Sequence, residues 1–530
     1  MKKFELVLIV ILLSFGCKDI AKTDKKSKLS KEQDSTLVLE KYRPNFHFTP
    51  KKAWMNDPNG MFYYNGYYHL YFQYHPNSNV WGPMHWGHAI STDMISWIEQ
   101  PIAIYPDKLG TIFSGSAVVD ISNSSGFGEV SNAIPIVAMY TNHLDNGDGK
   151  VTQTQSIAFS NDEGKTYTKY EGNPVIKNPN IKDFRDPKIT WDEDRHKWIM
   201  SLAAGDKIMF YDSKNFKNWN LLSEFKKNKN SKDGVWECPD LFKLPIKGTE
   251  EFKWVLFVSV GTGGPNGGSA TQYFIGDFDG TNFKIDKEFE KSLKENHNYW
   301  LDFGKDNYAG VSWSNARTKD GAKLMIGWMS NWDYAVKVPT ETWRSAMTIP
   351  RKVELKKDDN GYRLISNPVQ DLNKYRGTKF KKENISVNGN TKIIGSESID
   401  LASSEIKFNI NNLDDKSFTF ILSNKVNDSL LFGYDHAKNS FFIDRKKSGQ
   451  INFSEKFAGK ISYAARTSSN KNLSGTILID KTSIELFFDE GETVMTEIFF
   501  PNQPYSTFSI ETNNQELILD NIEVNKLNIN

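Results

Sequence analysis

An all-β protein, a five-bladed β-propeller followed by a C-terminal β-sandwich, is the fold this sequence predicts, and three observations predict it. Short alternating strands broken by turn residues run from about Tyr42 to Arg351, with hardly any long amphipathic helical pattern. A turn phrase recurs through the same stretch at a spacing suited to one β-sheet unit. Aromatic residues make up 13% of the 530-residue chain. Their flat rings with polar edges suit pleated surfaces, and they suit stacking on sugars equally well.

The first seventeen residues differ from all that follows. Lys2 and Lys3 precede an apolar run over 6–13, then Ser14-Phe15-Gly16-Cys17. Such a run is too short to span a bilayer and fits an export signal. The small residue ahead of Cys17 resembles a bacterial lipobox, which makes Cys17 the expected lipidation site; an ordinary cleaved signal and a retained anchor are the alternatives. Residues 18–40 are polar and charged and read as a flexible tether. The expected location is therefore an exported, membrane-anchored lipoprotein, periplasmic or on the cell surface.

Residues 41–355 carry the propeller pattern. Met61–Tyr64, Asn65-Gly66 and Tyr67–Tyr74 read as a hairpin, because Asn-Gly accepts the positive φ angles of a type I′ turn. The recurring phrase is a Ser or Asp, a polar turn and a closing aromatic. It stands at Ser91–Trp97, Ser160–Tyr167, Asp212–Trp219 and Gly276–Phe283, and five blades fit the length. Lys356–Gly361 and the stretch to Lys382 read as a boundary. Residues 370–530 then show short alternating strands such as Ser417–Leu422, Gly475–Ile479 and Ser483–Phe488, which suggest a β-sandwich.

Charge and cysteine content exclude several functions. Lys and Arg total 66 against 65 Asp and Glu, a net charge of +1, so no long-range field collects nucleic acid. The expected contact with a membrane is through the lipid anchor alone. Of two cysteines, lipidation uses Cys17, and Cys238 is left without a disulfide partner. His85 and His88 lack a third ligand or a helical frame, so no metal is expected. The glycine-rich Gly261–Gly268 lacks a following Lys-Ser/Thr and helix, which rules out a phosphate cradle. No Gly-x-Ser-x-Gly elbow is present.

Carboxylates among aromatics and prolines remain. Asp57 lies in Trp54-Met55-Asn56-Asp57-Pro58, Asp186 in Phe184-Arg185-Asp186-Pro187, and Glu237 in Trp236-Glu237-Cys238-Pro239. Proline removes a backbone donor and fixes the chain locally, which would hold a carboxylate at a strand end. Each alone fits a turn or a buried pair. Together they offer glycosyl transfer a nucleophile, an acid/base and a third charge, from separate blades converging on one axial pocket.

These motifs resemble glycoside hydrolase family 32, the β-fructosidases that include invertases, inulinases and levanases. Tyr71–Pro76, Trp86–Ala89, Phe113–Ala117, Trp300–Ala309, Gly327–Trp332 and Trp343–Arg351 share the family's wording, and the likeness spans about Phe46 to Pro501. The resemblance implies the same propeller and sandwich, a retaining double displacement and no cofactor. It implies that Asp57 attacks the anomeric C2, that Glu237 is acid then base, and that Asp186 with Arg185 binds sugar hydroxyls and stabilises the transition state. By the same match Asn56, Gln73, Trp81, Phe113, Ser114 and Trp332 line the fructose pocket. The wording is nearest to exo-acting inulinases and levanases, which favours terminal release from levan or inulin over sucrose specialisation. A sucrose hydrolase, a fructosyltransferase and a non-catalytic glycan-binding lipoprotein are the alternatives.

Overall fold

In the computed structural model, residues 40–529 are described except 129–132, 148, 227–233, 297–298, 360, 396–398 and 514. The export signal, Cys17 and residues 18–39 of the tether lie outside the described residues.

Five antiparallel sheets follow one another along the chain and form the five blades of a propeller. Their inner strands are Ala53–Tyr64, Thr111–Val119, Phe184–Asp192, Trp236–Pro245 and Tyr308–Ser312. In the first four blades the next three strands pair outward in chain order. The hairpin expected at Asn65-Gly66 is present, with φ of 46° and 87° at the two turn residues and Tyr64 paired with Tyr67. Blade 5 meets blade 1 through Tyr63 N donating to Ser314 O at 3.0 Å and Ser314 N to Met61 O at 2.9 Å. Trp343-Arg344 also adds a parallel strand to Ala53-Trp54, so the last part of the propeller sequence closes onto the first.

The recurring turn phrase joins the third and fourth strands of blades 1 to 4. Its polar side chain replaces ladder hydrogen bonds where the chain reverses. Asp93 Oδ1 accepts from Ile95 N (2.9 Å) and Ser96 N (3.0 Å), and Asp162 Oδ1 from Thr166 N (2.9 Å). Asn215 Oδ1 accepts from Lys217 N (3.1 Å) and Asn218 N (3.0 Å), and Asp279 Oδ1 from Thr281 N (3.0 Å) and Asn282 N (2.7 Å).

Blade 5 lacks the phrase, and this explains a misplaced boundary. The expected propeller end at 355 falls within Arg351–Asp358, which pairs with Gly361–Pro368 as the outer hairpin of blade 5. The charged stretch that begins at Lys356 belongs to that hairpin rather than to a linker, with Lys356, Lys357 and Asp358 paired to Arg363, Tyr362 and Gly361, and the outer strand runs to Pro368.

Beyond a 3-10 turn, Gln370–Tyr375, two six-stranded sheets pack face to face. Their core is a ladder of phenylalanines, including Phe408, Phe420, Phe432, Phe488 and Phe508. Propeller and sandwich are joined by buried charge pairs. Arg351 donates to Asp302 (2.8 Å) and to Glu485 (2.5 Å), and His47 bridges Asp480 (2.9 Å) and Glu485 (2.7 Å). Arg445 of the sandwich reaches Asp306 at 2.7 Å. Part of the shared wording at Trp300–Ala309 and Trp343–Arg351 therefore serves this junction.

Candidate active site

Each inner strand breaks register near its start, and always in the same way: two of its residues stand opposite one residue of the second strand; the strand of blade 1 does so a second time, with Gly60-Met61 against Leu70. The pairs are Asn56-Asp57 against Gln73, Phe113-Ser114 against Thr141, and Asp186-Pro187 against Leu202. Cys238-Pro239 against Val258 and Ala309-Gly310 against Gly327 complete the ring. A β-bulge leaves the extra residue unpaired and re-aims its side chain, which is why bulges gather beside active sites. The prolines after Asp57, Asp186 and Cys238 fit this geometry, because a bulge can dispense with a ladder donor. Asp186, Cys238 and Ala309 take φ of 66°, 45° and 52°, a strained region for non-glycine residues.

The bulges surround an axial cavity of about 290 Å³. Asp57, Asp186 and Glu237 all reach it, as do Asn56, Gln73, Trp81, Phe113, Ser114, Arg185 and Trp332. Trp81 stands at the mouth, 44% exposed, with its ring edge-on to Phe113 at 6.0 Å. Trp332 lies over Trp54 at 6.0 Å.

Asp57 is almost fully buried. Its Oδ1 accepts from Asn56 Nδ2 (2.9 Å) and its Oδ2 from Ser114 Oγ (2.7 Å). Asn56 is fixed in turn by Trp54 Nε1 at 2.7 Å. Burial raises the Asp57 carboxyl above the usual carboxylate range; the Asn56 and Ser114 donors oppose this, and the Glu237 charge adds to it. The Asn59-Gly60 backbone, a natural candidate donor to Asp57, does not serve it. Asn59 instead accepts from Gln73 Nε2 at 2.8 Å and so holds Gln73 in the pocket wall.

Asp186 is buried beside it. Its backbone N donates to Thr141 Oγ1 at 3.0 Å, and its Oδ2 accepts from Cys238 N at 3.1 Å. Burial drives its carboxyl upward, as do the nearby Glu237 and Asp57 charges, while Arg185 pulls it down. Cys238 Sγ sits 3.6 Å from both Asp57 Oδ2 and Asp186 Oδ2. Burial among carboxylates pushes this thiol well above its ordinary range, so it remains protonated and can donate to either acid.

Glu237 is held on both sides. Its Oε1 accepts from Arg185 Nε (3.2 Å) and Nη2 (2.8 Å), and its Oε2 accepts from the Tyr308 hydroxyl. Arg185 lies 4.0 Å from Asp186 but makes its close contacts with Glu237 and with Asp183 Oδ1 at 2.6 Å. Trp236 turns away, packing on Phe225 and Phe274 in the blade core.

Tyr308, Asp183, Gln153, Thr141 and Cys238 are site residues that sequence reasoning did not single out. Gln153 accepts from Phe184 N at 2.7 Å and so fixes the strand that carries Arg185 and Asp186. Tyr308 was within reach of the sequence, because it stands at the start of the inner strand of the fifth blade, one residue ahead of the bulge, as Glu237 stands in the fourth. Among the described residues no group of three or more His, Cys, Asp or Glu side chains is placed to hold a metal ion.

Most of the chain is similar to known proteins. The family described as "Glycosyl hydrolases family 32 N-terminal domain" matches residues 47–368, and "Glycosyl hydrolases family 32 C terminal" matches residues 371–528. A levanase of Bacillus subtilis (strain 168) is 47% identical over 472 residues, covering 89% of this chain and 68% of the relative. An extracellular exo-inulinase of Aspergillus ficuum is 39% identical over 490 residues, covering 87% and 90%. The crystal structure of exo-inulinase from Aspergillus awamori superposes with a TM-score of 0.83 at 34% identity, over 92% of this chain and 99% of that one. A β-fructofuranosidase from Schwanniomyces occidentalis, complexed with fructosyl-erythritol, gives 0.80 at 36% identity, over 92% and 98%.

Proposed function

The chain belongs to glycosyl hydrolase family 32, and on that premise we propose a fructan β-fructosidase that releases terminal β-fructofuranosyl units with retention of configuration. The observation that carries this reading is the convergence of Asp57, Asp186 and Glu237 from three blades on one axial cavity of about 290 Å³, a space scaled to a single sugar ring.

Asp57 is the nucleophile. Asn56 and Ser114 donate to its two oxygens and favour the ionised form that attacks C2. As the C2–oxygen bond to the leaving sugar breaks, Glu237 gives that oxygen its proton, and a fructosyl ester on Asp57 remains. Water then attacks C2, Glu237 takes its proton, and the ester bond to Asp57 breaks to free fructose. Asp186 binds sugar hydroxyls and faces the positive charge that develops at C2. Arg185 and Tyr308 keep Glu237 aimed at the leaving oxygen. Gln73, Trp81, Phe113 and Trp332 form the walls and mouth that hold the ring.

Levan and inulin are the favoured substrates, with sucrose a further one, since the similar proteins carry the names levanase, exo-inulinase and, at 36% identity, invertase. Product analysis with each of the three tests this. Fructose alone from levan or inulin supports terminal release, whereas short oligosaccharides overturn it. Activity confined to sucrose favours the invertase reading.

The protein is exported in this reading, in keeping with the extracellular relatives, and Cys17 carries a lipid. Radiolabelled palmitate should enter the wild type and not Cys17→Ala. Equal labelling of both would remove Cys17 as the site, and no labelling of either would remove the anchor.

A further inference from the structure

The inner strands that line the axial pocket at one end of the propeller line a second cavity, of about 340 Å³, toward their other end. On blade 2, Ser114 lines the first and Val118-Val119 the second. Asp186 and Lys188–Trp191 divide in the same way on blade 3, and Glu237 and Phe242 on blade 4. Ser312–Arg317 and Lys323 of blade 5 complete the wall. The volume lies in the range of about 300–1,000 Å³ usual for small-molecule sites.

Exposed Ile121, Ser122, Glu193 and Arg317 mark its rim, and much of the interior is apolar and aromatic. Trp191 and Trp198 stand with ring centroids 4.8 Å apart, and Ile189 and Phe242 are buried in the wall. Its charges pair off with one left over. Lys188 donates to Ser312 O at 2.5 Å and lies 3.3 Å from Asp240 Oδ2, and Arg317 meets Glu193 at 3.1 Å. Asp240 uses the same Oδ2 to accept from Ser312 N at 2.6 Å, and its Oδ1 is buried without a partner. The Lys323 amine, 5.9 Å from the centre of the Phe242 ring, has no hydrogen bond or ion pair among the described residues. Burial holds its pKa below the ordinary lysine value; the more distant Asp240 and Glu193 charges oppose this, and Lys188 and Arg317 add to it. An anion beside Lys323 would offset the cost of burying that charge.

We propose that this cavity is a binding site for a small organic anion, one carboxylate or sulfonate on an aromatic or branched apolar body, with the anionic group on Lys323 and the body against Trp191 and Phe242. Two lysine ammonium groups reject a metal cation, and a neutral sugar would leave the Lys323 charge unmatched. One surplus charge among indole and aliphatic walls fits a monoanion with a large apolar part, because a charge-assisted hydrogen bond fixes one end and burial holds the other.

Anilinonaphthalene sulfonate is a suitable probe, since its fluorescence rises in apolar surroundings, and phenylnaphthylamine offers the same rings without the charge. Both are titrated into wild type, Lys323→Met and Ser122→Trp. Methionine keeps the length of the side chain and removes a partly buried cation, so Lys323→Met is expected to fold with Tm unchanged or raised. It should bind the sulfonate about tenfold more weakly than wild type does and the neutral compound equally well, because one charge-assisted hydrogen bond is lost. Ser122→Trp alters an exposed rim residue and crowds the entrance, so it should weaken both compounds. Absence of sulfonate binding by wild type, or equal sulfonate binding by wild type and a folded Lys323→Met, would overturn the proposal. Should Lys323→Met fail to fold, Ser122→Trp decides: wild-type affinity for both compounds there overturns the site, and weakened binding of both upholds it.

Discussion

Arg185 and Glu237 are joined side chain to side chain across the seam between the third and fourth blades, with Nε and Nη2 both donating to Oε1 at 3.2 and 2.8 Å. Each stands one residue ahead of its strand's bulge, and Tyr308 holds that position in the fifth blade and donates to Glu237 Oε2. The same position in blades 1 and 2 is Met55 and Ile112, both buried and apolar. Three successive blades thus build a polar row centred on Glu237, and Asp57 faces it from the bulge of blade 1.

The guanidinium fork makes Arg185→Lys a severe change. One ammonium lacks the planar spread that lets Nε and Nη2 converge on Glu237 Oε1 while Nη1 reaches Asp183. We expect kcat to fall about 100-fold, the size of effect found when one preorganised donor is lost from an active site. Steady-state kinetics on inulin check this; a change in KM alone would mean that Arg185 serves binding rather than the orientation of Glu237.

Tyr308→Phe removes the other restraint while keeping the ring that fills the blade core. Loss of one positioned donor at an active-site group should lower kcat at least about tenfold. Wild-type kcat in this variant would leave Arg185 as the group that alone positions Glu237.

Ser114→Ala should move the acidic limb of the kcat/KM profile. Ser114 Oγ is one of two donors that oppose the upward push of burial on Asp57. Without it the Asp57 carboxyl titrates at a still higher pH, so activity is lost earlier as pH falls. An unshifted limb, with activity lowered evenly at all pH values, would mean that Asp57 does not govern it.

Much of this was legible in the sequence because it is local. A Ser or Asp two to four residues ahead of a turn satisfies the turn's own backbone, so four blades announced themselves by the same phrase. The acid-proline pairs likewise mark bulges, where proline's missing N–H does no harm. Blade 5 hides its end because its outer strands are joined by a tight charged turn, which reads as a linker. The partners of Glu237 were hidden for another reason: Arg185 and Tyr308 are 52 and 71 residues away and meet it only once the blades are arranged in a ring. The sequence placed Arg185 beside Asp186, its chain neighbour, and the two are 4.0 Å apart, but the hydrogen bonds of Arg185 run to Glu237 and Asp183.

His47 sets a prediction for alkaline stability. Burial alone would lower its pKa, but hydrogen bonds to Asp480 and Glu485 outweigh that and raise it to about 9 from 6.5. The folded protein therefore holds this proton more tightly than the unfolded chain. The resulting stability, about 3 kcal/mol, is complete below pH 6.5 and disappears as pH rises through 9. Tm should fall between pH 7 and 10, and His47→Asn, less stable at pH 6, should lose that slope. An equal slope in both proteins would assign the alkaline transition to other groups.

His69 gives the opposite limb. It lies buried on Phe62, with ring centroids 4.2 Å apart, and its Nδ1 is 3.1 Å from His88 Nε2. Burial lowers its pKa to about 4, with Lys165 helping and Glu163 opposing, and burial lowers His88 too. Two stacked imidazoles sharing one hydrogen bond cannot both take a proton without charging the centre of blade 1. Here the unfolded chain binds the proton first, so the contribution of His69 is complete above pH 6.5 and is lost as pH falls through about 4. The loss is about 3 kcal/mol for His69 alone. Glutamine at this position keeps a donor toward His88 and cannot titrate. His69→Gln should therefore lose less Tm than the wild type between pH 7 and 4.5, although it starts from a lower value. If both proteins lose the same Tm over that window, the acid sensitivity lies with the carboxylates and not with this histidine pair.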